Sequence, residues 1–452
     1  MTQPNFAAIV LAAGEGTRLK SGRPKVMHEI AGTPMIRHVI DALSPLEPAE
    51  TIVVIGPGME AVDRAVWPAT TVIQSPARGT ADAVKIARAA LAERLAAGDI
   101  DDVVVLYGDT PLLRSETISA LLDERRRSPQ AGVAVAGFRP ADPSGYGRLV
   151  VGPDGTLTRI VESRDARDEE QAIGLCNGGL MAIATRRAFD LVDRIGNINA
   201  KREFYLTDIV ALARSELLAS RVVELPAEEV LGVNTRAELA EAEALMQQRL
   251  RRRAMDEGTT LIAPETVFLC TDTRLGRDVV VEPHVVFGPG VTVADNVLIR
   301  AFSHLEGADI ASGAIVGPFA RLRPGAVLER DVHVGNFVEV KASRLGSGVK
   351  ANHLSYLGDS DIGAGSNIGA GTITCNYDGF NKFRTTIGAR AFIGSNTALV
   401  APVSVGEDAY VATGSVVTGD VPGGALTIAR ARQVDKPGRA AELRARLRGE
   451  KG

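Results

Sequence analysis

Up to residue 234 the chain alternates short aliphatic and β-branched runs with longer segments whose apolar positions recur at helical spacing, the pattern of an α/β domain. AAIVLAA, ETIVVIG, DVVVLYGD and GVAVAGF are the clearest predicted strands. Met35 to Leu43 and Ala81 to Leu95 predict helices, which supply the crossovers that parallel neighbours need. A mostly parallel, doubly wound, Rossmann-like sheet is therefore expected. Residues 235–256, TRAELAEAEALMQQRLRRRAMD, start acidic and end basic, complementing a helix dipole, and predict one connecting helix.

Beyond that helix the period changes to six. Aliphatic or aromatic residues recur at Leu275, Val281, Phe287, Val293 and Ile299, then at Ile310, Val316, Leu322, Leu328, Val334 and Val340. The phase returns at Ile362 and Ile368, and again from Ile387 through Ile393, Leu399, Val405 and Val411 to Val417. Strand spacing in a sandwich drifts, whereas a constant hexapeptide phase fits a coil whose sides each bury one side chain and turn at a small residue. Residues 257–430 are accordingly expected to form a left-handed parallel β-helix of hexapeptide repeats. A prism with three sides tends to associate about a symmetry axis, so a homotrimer is expected. Ala342 to Asp361 and Ile373 to Thr386 break the phase and read as insertions, where function concentrates. Residues 431–452 are basic and poor in core formers, and read as a solvated tail.

A length of 452 residues agrees with two domains. The net charge of −4 gives no global attraction to nucleic acid or an anionic membrane, and neither is expected as a partner. The apolar run AAIVLAA is too short for a signal peptide or a membrane span, so cytoplasmic residence is the expectation. Cys176, Cys270 and Cys375 lie far apart without zinc spacing, and the six histidines are scattered, so any metal should have oxygen ligands.

Candidate chemistry begins at LAAGEGTRLKSGRPK, directly after the first predicted strand. Its glycines let backbone N–H groups approach phosphate oxygens, and Arg18 and Lys25 can offset charge growing on them, which suits a polyphosphate. The spacing matches neither the Walker pattern nor the dinucleotide fingerprint. Asp109 closes the strand DVVVLYGD, where open sheets place ligand chemistry, and is the candidate magnesium ligand; a turn or cap role is the plainer alternative. In the second domain His353, within KANHLSYLGD, falls in a segment that interrupts the hexapeptide phase and is a candidate general base, although a lone histidine is more often structural.

Together, LAAGEGTRLKSGRPK, QSPARGTADA, YGDTPLL, GYGRLV, VESRDA, CNGG, FYLTDIV and LGVNTR occur in the order found in sugar-1-phosphate nucleotidyltransferases. Followed by NFVEVKASRLG, NHLSYLGDSDIGAGSNIGAGTITCNYDG and NKFRTTIG, the chain resembles the bifunctional N-acetylglucosamine-1-phosphate uridyltransferase and glucosamine-1-phosphate acetyltransferase family over nearly its whole length. The resemblance implies UDP-N-acetylglucosamine synthesis from glucosamine-1-phosphate, with acetyl-CoA and UTP as co-substrates and Mg2+ as cofactor. It implies uracil and ribose contacts from Leu11, Ala12, Ala13, Gly14, Gln74, Gly79 and Thr80, with Lys25 on phosphate. Asp109 and Asn234 would hold the metal; Gly147, Glu162 and Asn177 would contact N-acetylglucosamine-1-phosphate, with Tyr107 and Gly108 lining the same pocket. The NGG at Asn177 departs from the family's usual NTG or NAG but keeps the asparagine. In the acetyltransferase, the resemblance makes His353 the base that takes the amine proton in acetyl transfer, and assigns glucosamine-1-phosphate to Arg323, Lys341, Tyr356, Asn367 and Lys382. It assigns acetyl-CoA to Ala370, Asn376, Tyr377, Ser395, Thr413 and Arg430, in sites formed between subunits of a trimer. Thr413 stands where the family commonly has alanine, so a backbone contact is expected there.

Two other readings fit parts of the sequence. A single-activity nucleotidyltransferase could carry the β-helix as an oligomerisation scaffold, which would not require a histidine in KANHLSYLGD or the NYDG segment. A non-catalytic sugar-nucleotide sensor would not require Asp109.

Overall fold

The computed structural model describes residues 5–14, 16–128 and 130–449, which divide into two compact units between Arg249 and Leu250. In the first unit, the strands Phe6–Leu11, Glu50–Ile55, Asp102–Tyr107 and Ala131–Phe138 form where the aliphatic runs predict them. Their residues alternate between two cores. Ala7, Ile9, Val103 and Val105 face one, with Val84 and Ala87 of the helix Thr80–Ala90; Ala8, Val10, Val104 and Leu106 face the other, with Ile36 and Val39 of the helix Met35–Leu43. Burial on both faces explains why the strands read as continuous apolar runs.

The sheet has nine strands, and its main path runs Ala219–Glu224, Ala131–Phe138, Cys176–Ala184, Asp102–Tyr107, Phe6–Leu11, Glu50–Ile55, Thr70–Ile73. It is mixed. Cys176–Ala184 lies antiparallel to both neighbours, because residues 139–175 carry no long crossover helix but fold out into the pair Arg148–Val151 and Leu157–Val161. The register of Cys176–Ala184 shifts between Asn177 and Met181, at the glycine pair that hides this strand from a propensity reading.

Asp102, fully buried at the start of its strand, pairs with Arg125 and accepts a hydrogen bond from Arg126 Nε at 2.6 Å, tying the end of the helix Ser115–Arg126 to the sheet. Removing one partner of a buried pair costs more than the pair contributes. Both arginines keep a route to water, so Asp102→Ala is expected to lower stability by about 3 kcal/mol, the low end for such a loss. A urea unfolding midpoint unchanged in the variant would show that the pair contributes nothing.

The predicted connecting helix spans Arg236–Asp256. Within the first unit Glu243 Oε2 accepts from Ala31 N–H at 2.7 Å and Arg249 donates to the Leu112 carbonyl; within the second, Arg251 donates to the Val267 carbonyl at 2.7 Å.

The second unit is a left-handed parallel β-helix of three sheets, with ten, eight and eight short strands. Val281, Ile299, Val316, Val334, Ala351, Ile368, Ile393 and Val411 pair in succession and form one core column. Every predicted hexapeptide core position is buried except Leu275, which is half-buried in the second coil strand Arg274–Leu275.

The expected insertion at Ala342 to Asp361 is corrected by the structure. Arg344–Leu345, Lys350–His353, Tyr356–Gly358 and Ser360–Ile362 continue the three sheets, with Leu345, Ala351 and Leu357 in the core. Val334 and Ala351 are one residue closer in sequence than Val316 and Val334, so the phase slips without any excursion. The second segment does leave the coil: Ile373–Cys375 is a regular strand, residues 376–384 loop out, and Thr385–Ile387 resumes the ladder. The tail is also more regular than its composition suggests. Arg439–Gly449 is a helix, and every described residue from 431 onward is exposed.

Candidate active sites

Leu11 and Tyr107 end paired neighbouring strands, so the loops that leave them open into one space, a cleft of about 980 Å³. Sheet geometry concentrates ligand chemistry at such carboxyl ends. The glycine-rich loop lines one wall with Leu11, Ala12, Ala13 and Gly14, joined by Arg18 and Lys25. Gln74, Gly79 and Thr80 line another. Gln74 Nε2 donates to the Gly79 carbonyl at 3.0 Å and to Asp82 at 2.9 Å, and Thr80 Oγ1 accepts from Leu206 N–H at 2.9 Å. Gly79 has φ of +121°, and a Cβ there would lie 2.6 Å from the Phe204 carbonyl oxygen, so this turn admits only glycine.

Glu162 and Asn177 face the cleft, and Gly147 sits beside both. Burial pushes the Glu162 carboxyl above the usual carboxylate range, opposed by a hydrogen bond from Thr207 at 3.2 Å. Burial, reinforced by Glu162 and Asp109, also raises the Tyr107 phenol, which stays neutral at physiological pH. Gly108 plays a different part from Tyr107. Its bare face packs on Ile36, Val26 and Ala12, and it does not line the cleft. Lys201, Tyr205 and Thr207 line the cleft although the sequence assigned them no role. Tyr205 and Thr207 belong to FYLTDIV, so the motif was visible but its side-chain directions were not.

Lys25, Asp109 and Asn234 converge in this unit. Lys25 Nζ is ion-paired with Asp109 Oδ2 and lies 3.1 Å from Asn234 Oδ1. The Val233 N–H donates to the Asp109 carbonyl at 2.9 Å, holding Asn234 beside the strand end. A cation of the protein thus sits where two oxygens of the expected metal site meet, so the donor set fits a hard divalent ion that takes its remaining ligands from substrate and water. Among the described residues no group of three or more His, Cys, Asp or Glu could form a more complete cage.

In the second unit Arg323, Lys341, Tyr356 and Lys382 gather around one sheet. Arg323 pairs with Glu339 at 2.8 Å, Glu339 is in register with Tyr356, and Lys341 approaches Asp359 at 4.0 Å. The neighbouring Lys341, by hydrogen bonding and charge, lowers the Lys382 ammonium from its ordinary value. A cluster of cations kept close together is prepared for an anion. Asn376 is buried and hydrogen-bonds Asp359, whereas Tyr377 is exposed and bridges to Lys382 across the loop. Asn367 is not part of this cluster: it lies on the ten-stranded sheet, in register with Lys350 and Phe392.

His353 ends the strand Lys350–His353 at a corner between two sheets, exposed, with Nδ1 2.7 Å from Asn336 Oδ1. Since an amide oxygen accepts, this bond calls for the proton on Nδ1, which in the neutral ring places the lone pair on Nε2. Asn336 was missed in the sequence because its partner is one coil away. Along the same corner the His353, Ala370 and Ser395 carbonyls accept from Gly371, Asn396 and Gly414 in turn, which aligns His353, Ala370, Ser395 and Thr413 in successive coils. Arg430 follows, its side chain reaching Gly414.

A nucleotidyltransferase followed by a hexapeptide acyltransferase is the class that this pair of folds and sites defines. Residues 8–200 match the MobA-like NTP transferase domain family, and residues 384–419 match the hexapeptide repeat of succinyl-transferase. The chain is 54% identical to bifunctional protein GlmU of Paramagnetospirillum magneticum, covering 100% of this chain and 99% of that protein. It is 55% identical to that of Azorhizobium caulinodans, with 98% of each covered, and 56% identical to that of Acidiphilium cryptum, covering 97% and 98%. The chain belongs to the GlmU family of bifunctional enzymes, which pair a uridyltransferase domain with an acetyltransferase domain.

Proposed function

We propose that this enzyme makes UDP-N-acetylglucosamine in two steps, acetylating glucosamine-1-phosphate in the β-helix and uridylating the product in the α/β domain. His353 Nε2 takes a proton from the attacking amine as the new amide bond forms and the coenzyme A thiolate leaves, and Asn336, bonded to Nδ1, orients the ring for that transfer. Arg323, Lys341, Tyr356 and Lys382 hold the sugar phosphate. Acetyl-CoA follows the corner column past Ala370, Ser395 and Thr413 to Arg430, with Asn376 and Tyr377 at its acyl end. In the cleft, a phosphate oxygen of N-acetylglucosamine-1-phosphate attacks the α-phosphorus of UTP, and the bond to pyrophosphate breaks. Arg18 and Lys25 neutralise the phosphates; Leu11 to Gly14, Gln74, Gly79 and Thr80 position the nucleoside, and Glu162, Asn177 and Gly147 the sugar. Asp109 and Asn234 would hold magnesium, which supplies further charge neutralisation at the phosphates.

Domain limits of 1–234, 235–256, 257–430 and 431–452 describe the working parts. We place the enzyme in the cytoplasm; no helix among the described residues is long and apolar enough to cross a membrane. Self-association as a trimer is supported by an exposed aromatic stack. His284, Phe302, Phe319 and Phe337 stack at centroid distances of 4.9, 4.9 and 5.1 Å along one corner. The three phenylalanines hold φ of +60°, +56° and +55°, uncommon for bulky residues, and about half of each stays exposed. Asn367, displaced from the cationic cluster of its own chain, would then serve a site completed by a second copy.

The observation that carries the two-reaction reading is the His353–Asn336 pair heading that corner column, since an oligomerisation scaffold needs neither. Mass-spectrometric analysis of products from glucosamine-1-phosphate, acetyl-CoA, UTP and magnesium, each donor omitted in turn, tests it. UDP-N-acetylglucosamine should require both donors, and N-acetylglucosamine-1-phosphate should accumulate without UTP. A requirement for added N-acetylglucosamine-1-phosphate would reduce the β-helix to a scaffold.

A further inference from the structure

We infer that the Lys25 ammonium, seated on Asp109 and Asn234, is a placeholder for the metal ion that makes metal and nucleotide binding cooperative; this rests on the uridyltransferase reading of the cleft. Lys25 Nζ contacts both oxygens that would ligate the ion, and the two charged side chains are only 13% and 16% exposed. A carboxylate so enclosed needs a compensating cation at all times, and the ammonium supplies it before any ligand arrives. A divalent ion cannot share the same Asp109 oxygen with an ammonium at contact distance, because like charges that close repel strongly in a partly enclosed site. Metal taking these same two oxygens alone must therefore expel Lys25 and leave a partly buried ammonium without its counter-charge.

The nucleotide removes that obstacle. Its phosphates offer Lys25 a new partner and give the metal further oxygens, so each ligand lowers the cost of admitting the other. Such coupling is reciprocal by thermodynamic necessity. Lysine suits the exchange because its charge is compact and its four-carbon stem flexible. The base of the stem is fixed: Gly16, at φ of +65°, lies so close that an added Cβ would come within 2.5 Å of Lys25 Cβ. The lysine can thus swing its tip from carboxylate to phosphate while its backbone stays in place. Arg18, exposed on the same wall, remains for the phosphates throughout.

The test is Mn2+ binding to the full chain without nucleotide, followed by the free-Mn2+ paramagnetic resonance signal and repeated by calorimetry with saturating UTP. Lys25→Met should bind Mn2+ alone about tenfold more tightly than the parent enzyme, and should lose most of the tightening that UTP brings to the parent. Lys25→Gln should move in the same direction, and both variants, which leave Asp109 without its cation, should unfold cooperatively but at a lower temperature than the parent until Mn2+ is added. Mn2+ affinity unchanged or weakened in both variants would overturn the inference while leaving the uridyltransferase reading intact. No Mn2+ bound at Asp109 even with UTP, shown by an Asp109→Asn variant that behaves as the parent, would overturn the metal assignment and this inference together.

Discussion

His353→Ala should lower acetyl transfer by about 10²–10⁴-fold, the range for loss of a positioned general base, and leave uridyl transfer unchanged. The side chain is exposed and its one hydrogen-bonding partner among the described residues is Asn336 Oδ1, so its removal leaves no buried polar group unsatisfied and no cavity in the coil. The neighbouring core positions, Ala351 and Leu357, are buried inside the coil, whereas His353 is exposed. The β-helix should therefore fold as before, with the lost activity reporting chemistry alone. Separate assays of the two half-reactions on one preparation decide the matter. Full acetyl transfer by the variant would exclude His353 as the base, and loss of both activities in a folded variant would contradict independent sites.

The mirror-image experiment is Asp109→Ala, for which uridyl transfer should fall by at least about 10²–10³-fold, the loss typical when an electrostatic group is removed from the reacting centre, while acetyl transfer persists. The substitution deletes the single carboxylate of the Lys25, Asp109 and Asn234 group and leaves Lys25 with the Asn234 amide as its remaining partner there. Extra Mg2+ should not restore the rate, because an amide oxygen alone cannot hold the ion against water. Normal uridyl transfer at ordinary magnesium would place the metal elsewhere in the cleft.

The sequence carried these structures to different depths. Period and burial are one-dimensional signals, so the aliphatic strands of the first unit and the hexapeptide core from Val281 to Val417 could be read directly. Where the coil tightens by one residue and alanine replaces a larger aliphatic at position 351, the same signal fades, and a regular stretch reads as an insertion. Cys176–Ala184 was hidden by its glycine pair and by the expectation that neighbours run parallel. The candidate site followed the same division. Asp109 and Lys25 stand out because each ends or follows a strong pattern, but the contact between them joins positions 84 residues apart, and that with Asn234 spans 209. Asn336 and His353 are 17 apart, one coil, a relation that exists only once the chain is wound.

Winding has a further meaning for how such an enzyme can change. Each coil pairs only with the coil before and after it, so the solenoid is a one-dimensional stack in which disturbances stay near their origin. The groups proposed for acetyl transfer begin at Arg323, and the coils from Thr260 to Ile299 contribute none of them. A whole coil gained or lost in that early stretch would move the acetyl site along the stack without altering its internal geometry. Length in this part of the chain is a spacer that can be adjusted in steps of one coil, independently of the chemistry carried above it.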